Sequence, residues 1–123
     1  MNMNFYKRIS AISAAGQFDM EPKKYGVLMW ARDRDSYDRM LNVLNKKRNI
    51  IITNRNYYTF SVWCFDPEDY AKYKDFNDKQ AKLIEIFFTE IHDGKTADQA
   101  QKLQYEYAIN NDAEYVYNAI YNN

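Results

Sequence analysis

Covalent chemistry has few candidate side chains in this chain, because its 123 residues include one cysteine and one histidine. Cys64 and His92 would form a nucleophile–base pair only if the fold brought them within hydrogen-bond reach. Cys64 shares its predicted strand face with apolar side chains, which favours a buried and inert thiol. His92 falls in the last turn of a predicted helix, where a cation complements the helix dipole. We therefore predict a protein that is not an enzyme, with a small enzyme using Cys64 and His92 as the alternative.

Ligand motifs are matched only in part. Segment 94–96 has the Gly-Lys-Thr end of a phosphate-binding loop, but Thr89 stands where that motif requires glycine. The acidic segment 33–38 begins like a calcium loop, but Leu44 occupies the position of the ligating glutamate. One histidine and one cysteine cannot supply the three or four ligands that zinc needs. We predict neither a cofactor nor a metal.

Tyrosine is abundant, with 12 residues in the chain. Tyr105 and Tyr107 lie about 200° apart on a helix, so one of them is expected to point outward. Exposed tyrosine gives a large contact area at low entropy cost and is enriched at protein interfaces. We predict a surface that binds a basic protein partner or forms a homodimer seam, with amphipathic filler as the alternative. The predicted residues are Tyr105, Tyr107, Tyr115, Tyr117, Tyr121, Glu106 and Glu114.

A second candidate surface combines cations and rings around a predicted hairpin. A basic run ends the helix before the hairpin, and an arginine stands at its predicted turn. Sheets that bind nucleic acid use rings to stack bases and cations to hold the backbone. A nucleic-acid-binding module is therefore the alternative function, unless the same rings belong to the core. Its residues would be Lys46, Lys47, Arg48, Arg55, Tyr57 and Trp63.

Hydrophobic periodicity predicts the elements that carry these residues. The continuous apolar run 25–31 predicts a buried strand. Apolar residues at i, i+3, i+4 and i+7 from Tyr37 predict a helix. Segments 50–53 and 57–65 then predict a hairpin with its turn at 54–56. We expect the first two strands to be parallel neighbours joined by the helix.

The rest of the chain predicts three or four helices. Asp66 and Pro67 open the first, which we expect to end near Phe76 before a second helix starts. The second helix is apolar on more than one face, which predicts burial on two sides. Thr96 and Gln99 form a capping box for the next helix. The predicted class is α+β: a β-α-β-β sheet of about three strands, followed by and packed against these C-terminal helices.

Length predicts one domain, with an N-terminal segment at 1–24, a sheet and crossover helix at 25–65, and a helical part at 66–123. The net charge is zero, yet residues 1–63 carry +6 and residues 64–123 carry −6. Such a separation suits a charged partner.

The same composition bears on location and source. A single cysteine and no apolar stretch of membrane-spanning length predict a cytoplasmic protein without membrane contact. Frequent Asn, Tyr, Lys and Ile indicate an AT-rich genome. We therefore interpret the chain as a phage-encoded inhibitor or regulator of a host protein, located in the host cytoplasm.

Overall fold

The computed structural model describes residues 2–122, which form five helices and four strands. This content confirms the α+β class. The packing divides the chain into a first unit up to Tyr73 and a second unit from Lys74; the single domain stays a prediction. The helices are α1 (Met3–Gly16), α2 (Arg34–Asn45), α3 (Pro67–His92), α4 (Ala97–Asn110) and α5 (Glu114–Tyr121). The strands are β1 (Asp19–Pro22), β2 (Val27–Trp30), β3 (Ile51–Asn56) and β4 (Ser61–Phe65).

The first unit contains an antiparallel sheet with the strand order β1-β2-β4-β3. Cys64 of β4 lies opposite Val27 of β2 on one side and Ile52 of β3 on the other. β2 and β3 therefore run in the same direction but are separated by β4, and the prediction that they are neighbours is wrong. The reason is that β4 has three buried residues, Val62, Cys64 and Phe65, and takes a central place, whereas β3 has none and lies at the edge.

Two further strand predictions need correction. The structure has four strands instead of about three. The additional strand, β1, is four residues long, has Met20 as its one apolar residue that packs on the core and ends at Pro22, so it is too short to give a periodic pattern. The hairpin turn lies at 57–60 instead of 54–56, so that β4 begins at Ser61. The Asn56 side-chain oxygen accepts hydrogen bonds from the backbone of Tyr58 (2.9 Å) and Thr59 (3.1 Å). This bonding holds the turn, as asparagine commonly does.

α1 and α2 form the core of the first unit with one face of the sheet. α1 begins at an Asn2 cap, whose side chain accepts from the backbone of Asn4 and Phe5. α2 buries the face that the sequence predicts, because its apolar side chains recur at helical spacing. The central buried residues are Phe5 and Ile9 of α1, Tyr37, Met40 and Leu44 of α2, and Val27, Met29, Val62 and Cys64 of the sheet.

The second unit packs α4 and α5 with the later part of α3. α3 begins where the Asp66 carboxylate accepts from the backbone of Asp69 (2.7 Å), and it continues without a break to His92. The predicted interruption after Phe76 is therefore wrong, and three C-terminal helices follow the sheet. The capping box of α4 is confirmed, with Thr96 and Gln99 bonding each other's backbone. The core comprises Leu83, Ala108, Ala113 and Val116, joined by half-buried Phe76, Tyr107, Tyr117 and Ile120.

Candidate protein-binding site

Three of the five predicted tyrosines come together in the second unit. Tyr105 of α4 lies edge-on to Tyr117 of α5, with ring centroids 5.2 Å apart. Tyr117 in turn packs on Tyr121, at 4.7 Å. Tyr105 remains 42% exposed and Tyr121 37% exposed, whereas Tyr117 is half-buried between them. These three residues, here called the tyrosine cluster, form one continuous aromatic surface with solvent-facing edges.

Two glutamines of α4 fix the rings of the tyrosine cluster. Gln101 donates through Nε2 to the Tyr117 hydroxyl (3.0 Å). The Tyr121 hydroxyl donates to Oε1 of Gln104, whose Nε2 donates to the carbonyl of Leu83 in α3 (2.7 Å). Because Gln104 is 2% exposed, the Tyr121 ring is tied to the interior of the unit. Rings held in this way lose little freedom on binding a partner.

Burial raises the pKa of the Tyr121 hydroxyl, and the neighbouring Tyr117 adds to the increase. The hydroxyl therefore stays neutral and keeps its proton for Gln104 across the physiological range. The exposed ring edges present neutral hydroxyl and apolar surface together, which is the combination enriched in protein interfaces.

Both helices that carry the tyrosine cluster also carry an exposed acidic side chain. Glu114 precedes Tyr117 by three residues and Tyr121 by seven, so that all three share one face of α5. Glu106 is exposed on α4, three residues before Ile109, which is 48% exposed. The second unit as a whole carries nine acidic and five basic side chains, a net charge of −4. The surroundings of the rings therefore favour a basic partner.

Tyr107 and Tyr115 lie away from the tyrosine cluster. Of the pair expected to diverge on α4, Tyr105 is the one that points outward, and Tyr107 packs against the core. The Tyr115 ring contacts Phe76 of α3 at 6.2 Å between centroids, with Lys79 Nζ 5.2 Å from the Tyr115 centroid. Tyr107 thus belongs to the core, whereas Tyr115 is 42% exposed but contacts Phe76 and Lys79 of α3 instead of the cluster rings.

A polar network links Tyr115 to α3. The Tyr115 hydroxyl donates to the carboxylate of Asp75, and Lys79 Nζ lies 3.2 Å from the same carboxylate. Lys79 also donates to the carbonyl of Asp112 (2.8 Å). The bonds from Tyr115 and Lys79 lower the pKa of Asp75, while burial and the nearby carboxylate raise the pKa of Tyr115. At neutral pH Asp75 is therefore ionised and the Tyr115 hydroxyl is protonated, which are the states that this hydrogen bond needs.

α3 presents an apolar face that sequence reasoning did not assign to a site. Leu83 is fully buried in the core of the second unit, but Ile84 is 44% exposed, Phe88 64% and Ile91 38%. The sequence predicts burial on two sides of this helix, and within the second unit one side is covered. The width of the apolar pattern was the available signal for this face. Large apolar side chains grouped in solvent are typical of interaction surfaces.

The residues predicted to bind nucleic acid all belong to the first unit. Tyr57 lies in the hairpin turn, edge-on to Tyr37 (5.3 Å between centroids) and under the guanidinium of Arg34 (5.1 Å). Trp63 stacks on Phe65 (6.0 Å) and Tyr73 (6.2 Å). The two rings therefore have different protein neighbours. The four predicted cations, Lys46, Lys47, Arg48 and Arg55, are exposed.

The two residues considered for covalent chemistry differ in their surroundings. Cys64 is fully buried in β4, and burial raises the pKa of its thiol to about 12. The reactive thiolate is therefore scarce at neutral pH. His92 is exposed at the end of α3.

Metal ligation and membrane spanning each require a particular arrangement of side chains, which residues 2–122 do not contain. This part of the chain contains no group of three side chains placed to hold a metal ion. Of its helices, none has the length and apolar character needed to cross a membrane.

No protein-family model, curated protein or solved structure matches the chain at a significant level. Its function is therefore inferred from the geometry of its own side chains.

Proposed function

We propose that this chain is a non-enzymatic protein that acts by binding another protein through the tyrosine cluster. The observation that carries the proposal is that the rings are both held in place and exposed. Buried Gln104 holds the Tyr121 ring, while Tyr105 and Tyr121 keep solvent-facing edges. Binding energy at interfaces is concentrated in a few ordered aromatic residues. A surface of this kind therefore needs no further ordering before it binds.

The proposed partner is a basic protein with an apolar patch bordered by lysine and arginine. Glu114 shares a face of α5 with Tyr117 and Tyr121, and the second unit carries −4, so a basic patch would be attracted to it. Glu106 adds a further exposed acid on α4. A second copy of the chain would bring the same acidic surface against itself, and this like-charge contact disfavours self-association through the tyrosine cluster. In line with its AT-rich composition, we propose a phage-encoded inhibitor or regulator that acts on a host protein in the cytoplasm.

The proposal is tested by affinity capture from the native host with the tagged full chain, using Tyr105→Ser as the surface variant. We expect the wild-type chain to recover one basic protein in stoichiometric amount and the variant to recover at most about a tenth as much, as loss of a central aromatic residue implies. The recovered protein is identified by mass spectrometry and its affinity is measured by calorimetry with purified components.

Tyr58→Ser provides the matched control, because Tyr58 is 95% exposed and lies in the hairpin turn of the first unit. This variant should recover the partner as well as the wild-type chain. Capture of no stoichiometric protein, or equal recovery by Tyr105→Ser, would contradict the proposal.

Nucleic-acid binding is the second candidate, favoured by the run of exposed cations from Lys46 to Arg48 at the end of α2. Phosphate contacts give an affinity that falls steeply with salt. Single-stranded RNA and duplex DNA are therefore titrated at two ionic strengths. Negligible binding at both salts would eliminate this candidate, and a steep salt dependence would support it.

A further inference from the structure

A groove of about 620 Å³ lies between α1 and α2 in the first unit. The two helices run antiparallel and are joined near both ends of the groove. At one end, the Arg8 guanidinium donates to the carbonyl of Arg48 (2.7 Å). At the other end, the Arg39 guanidinium donates to the carbonyl of Gly16 (3.0 Å). These bonds connect the two sides of the groove. Its volume falls in the range of ligand-binding clefts.

The floor of this groove is apolar and its rim is basic. Most of the lining comes from Ile12 and Ala15 of α1, Val43 of α2, and Phe18, which lies between α1 and β1. No aspartate or glutamate lines the groove. Arg39 and Lys47 of the α2 side stand at the rim. An occupant of matching chemistry has an apolar edge with carboxylates beside it.

The charges around the groove support this reading. α1 contains no acidic residue, so its Lys7 and Arg8 are not balanced on their own helix. Arg39 lies over the Phe18 ring (5.3 Å to the centroid) and is held in place, whereas Lys47 forms no ion pair with any residue in 2–122. Of the two cations that line the groove, Lys47 is therefore the one whose side chain is free to bind a carboxylate of a partner.

We propose that the groove binds an acidic amphipathic helix of a partner protein. Arg39, Val43 and Lys47 recur every four residues on the α2 side and span about 12 Å, the length of roughly two helical turns. A helix laid along it would place an aliphatic edge, spaced i, i+3, i+4 and i+7, on Ile12 and Val43. Glutamates beside that edge would meet Lys47. The groove lies in the first unit and would bind an acidic partner, whereas the tyrosine cluster lies in the second unit and would bind a basic one. The two proposals are therefore independent.

A protein helix suits the groove better than a nucleic acid. Binding of single strands combines cations with rings on which bases stack. The one ring that lines the groove, Phe18, is 6% exposed and lies beneath Arg39. A phosphate backbone would meet Arg39 and Lys47 but would leave the apolar floor unfilled.

The test uses a fluorescein-labelled peptide of about 14 residues, long enough for a short helix, with leucines along one face and glutamates on both flanks. Its binding to the full chain is followed by fluorescence anisotropy. Ala11→Phe places a ring in the groove from an exposed helix position, and Lys47→Glu reverses the rim charge. We expect each variant to raise the Kd about tenfold or more. Thermal unfolding of each variant, followed by circular dichroism, establishes that it is folded.

Lys102→Glu is the matched control, because it makes the same charge change at an exposed position of α4 and should leave the Kd unchanged. Equal binding of a scrambled peptide, or an unchanged Kd in folded Ala11→Phe, would overturn the proposal. So would a single-stranded DNA that displaces the peptide and binds Ala11→Phe normally. Dimers in sedimentation that Lys47→Glu dissociates would assign the groove to a second copy, and would also overturn it.

Discussion

Gln104 shows how one buried polar residue positions an exposed surface. It accepts from Tyr121 and donates to the backbone of Leu83, so it satisfies its amide while linking α5 to α3. A buried amide without partners would be costly, and this requirement fixes the side chain in one orientation. The ring of Tyr121 is consequently placed by the interior of the unit.

Replacing this residue should therefore be costly. In Gln104→Leu the Tyr121 hydroxyl loses its acceptor, and we expect the free energy of unfolding to fall by about 1–3 kcal/mol. Urea denaturation followed by circular dichroism measures the change. Gln101→Leu removes a half-buried bond to Tyr117 and should cost less. Equal losses in both variants would show that burial of Gln104 is not the determining factor.

Cys64 gives a second expectation at this scale. Its thiol should react with a disulfide reagent at pH 8 only after denaturant is added, because burial raises the thiol pKa to about 12. The unfolded thiol, with a pKa near 9.0, ionises first as the pH rises. The free energy of unfolding should therefore fall between about pH 9 and pH 12. Cys64→Ala should show a shallower fall, and rapid labelling of the native chain would contradict the burial.

Among the elements, the hairpin shows where the sequence misleads. Residues 57–60 are aromatic or β-branched and predict a strand, yet Asn56 caps a turn there and Phe60 adopts a left-handed backbone, with φ of 53°. Side-chain bonding by one asparagine outweighs the strand preference of four residues. Val62 and Cys64 are buried, as a strand over 57–65 with one apolar face predicts. Tyr58, which the alternation of that strand would place on the same face, is 95% exposed.

The sequence also predicted only part of the candidate site. The divergence of Tyr105 and Tyr107 follows from the rotation of about 100° per residue in a helix. That Tyr105 meets Tyr117 and Tyr121 depends on how α4 packs against α5, which no local pattern specifies. The uninterrupted α3 has the same explanation, because packing of Phe76 and Leu83 on one core outweighs the capping preference of the residues between them.

The capping box of α4 gives a prediction for a single element. Thr96→Ala removes the bond to the Gln99 backbone and should lower the free energy of unfolding by about 1 kcal/mol. Thr89→Ala makes the same substitution inside α3 at an exposed position, where it should be neutral or slightly stabilising. Chemical denaturation compares the two variants. An equal loss in both would mean that the cap is not the source of the effect.

For the molecule as a whole, the main property is separation of charge. The first unit carries 12 basic and 8 acidic side chains, and the second unit carries 5 and 9. A net charge of zero thus conceals +4 and −4 on two compact units. The two proposed surfaces follow this division, since the groove has a basic rim and the tyrosine cluster has acidic neighbours.

Changing the ionic strength should distinguish long-range electrostatic attraction of the partner from short-range contacts at the tyrosine cluster. With the captured basic partner, we expect the association rate constant to fall about tenfold or more between low and high salt, while the dissociation rate changes little. Glu106→Gln combined with Glu114→Gln should flatten that dependence. Glu68→Gln, an exposed acid in the first unit, is the matched control. Surface plasmon resonance gives both rates, and a salt-independent association rate would contradict electrostatic steering.

The strand order affects whether sheets of different molecules can pair at high protein concentration. The open edges of the sheet belong to β1 and β3. β1 is four residues long, holds Asp19 and Glu21 and closes with Pro22, and β3 loses regular pairing between Thr53 and Asn56. Edge strands that are short, charged or irregular pair poorly with a strand of a neighbouring molecule. Concentrated solutions should therefore resist fibril growth through this sheet, leaving side-chain surfaces as the route by which the molecule meets others.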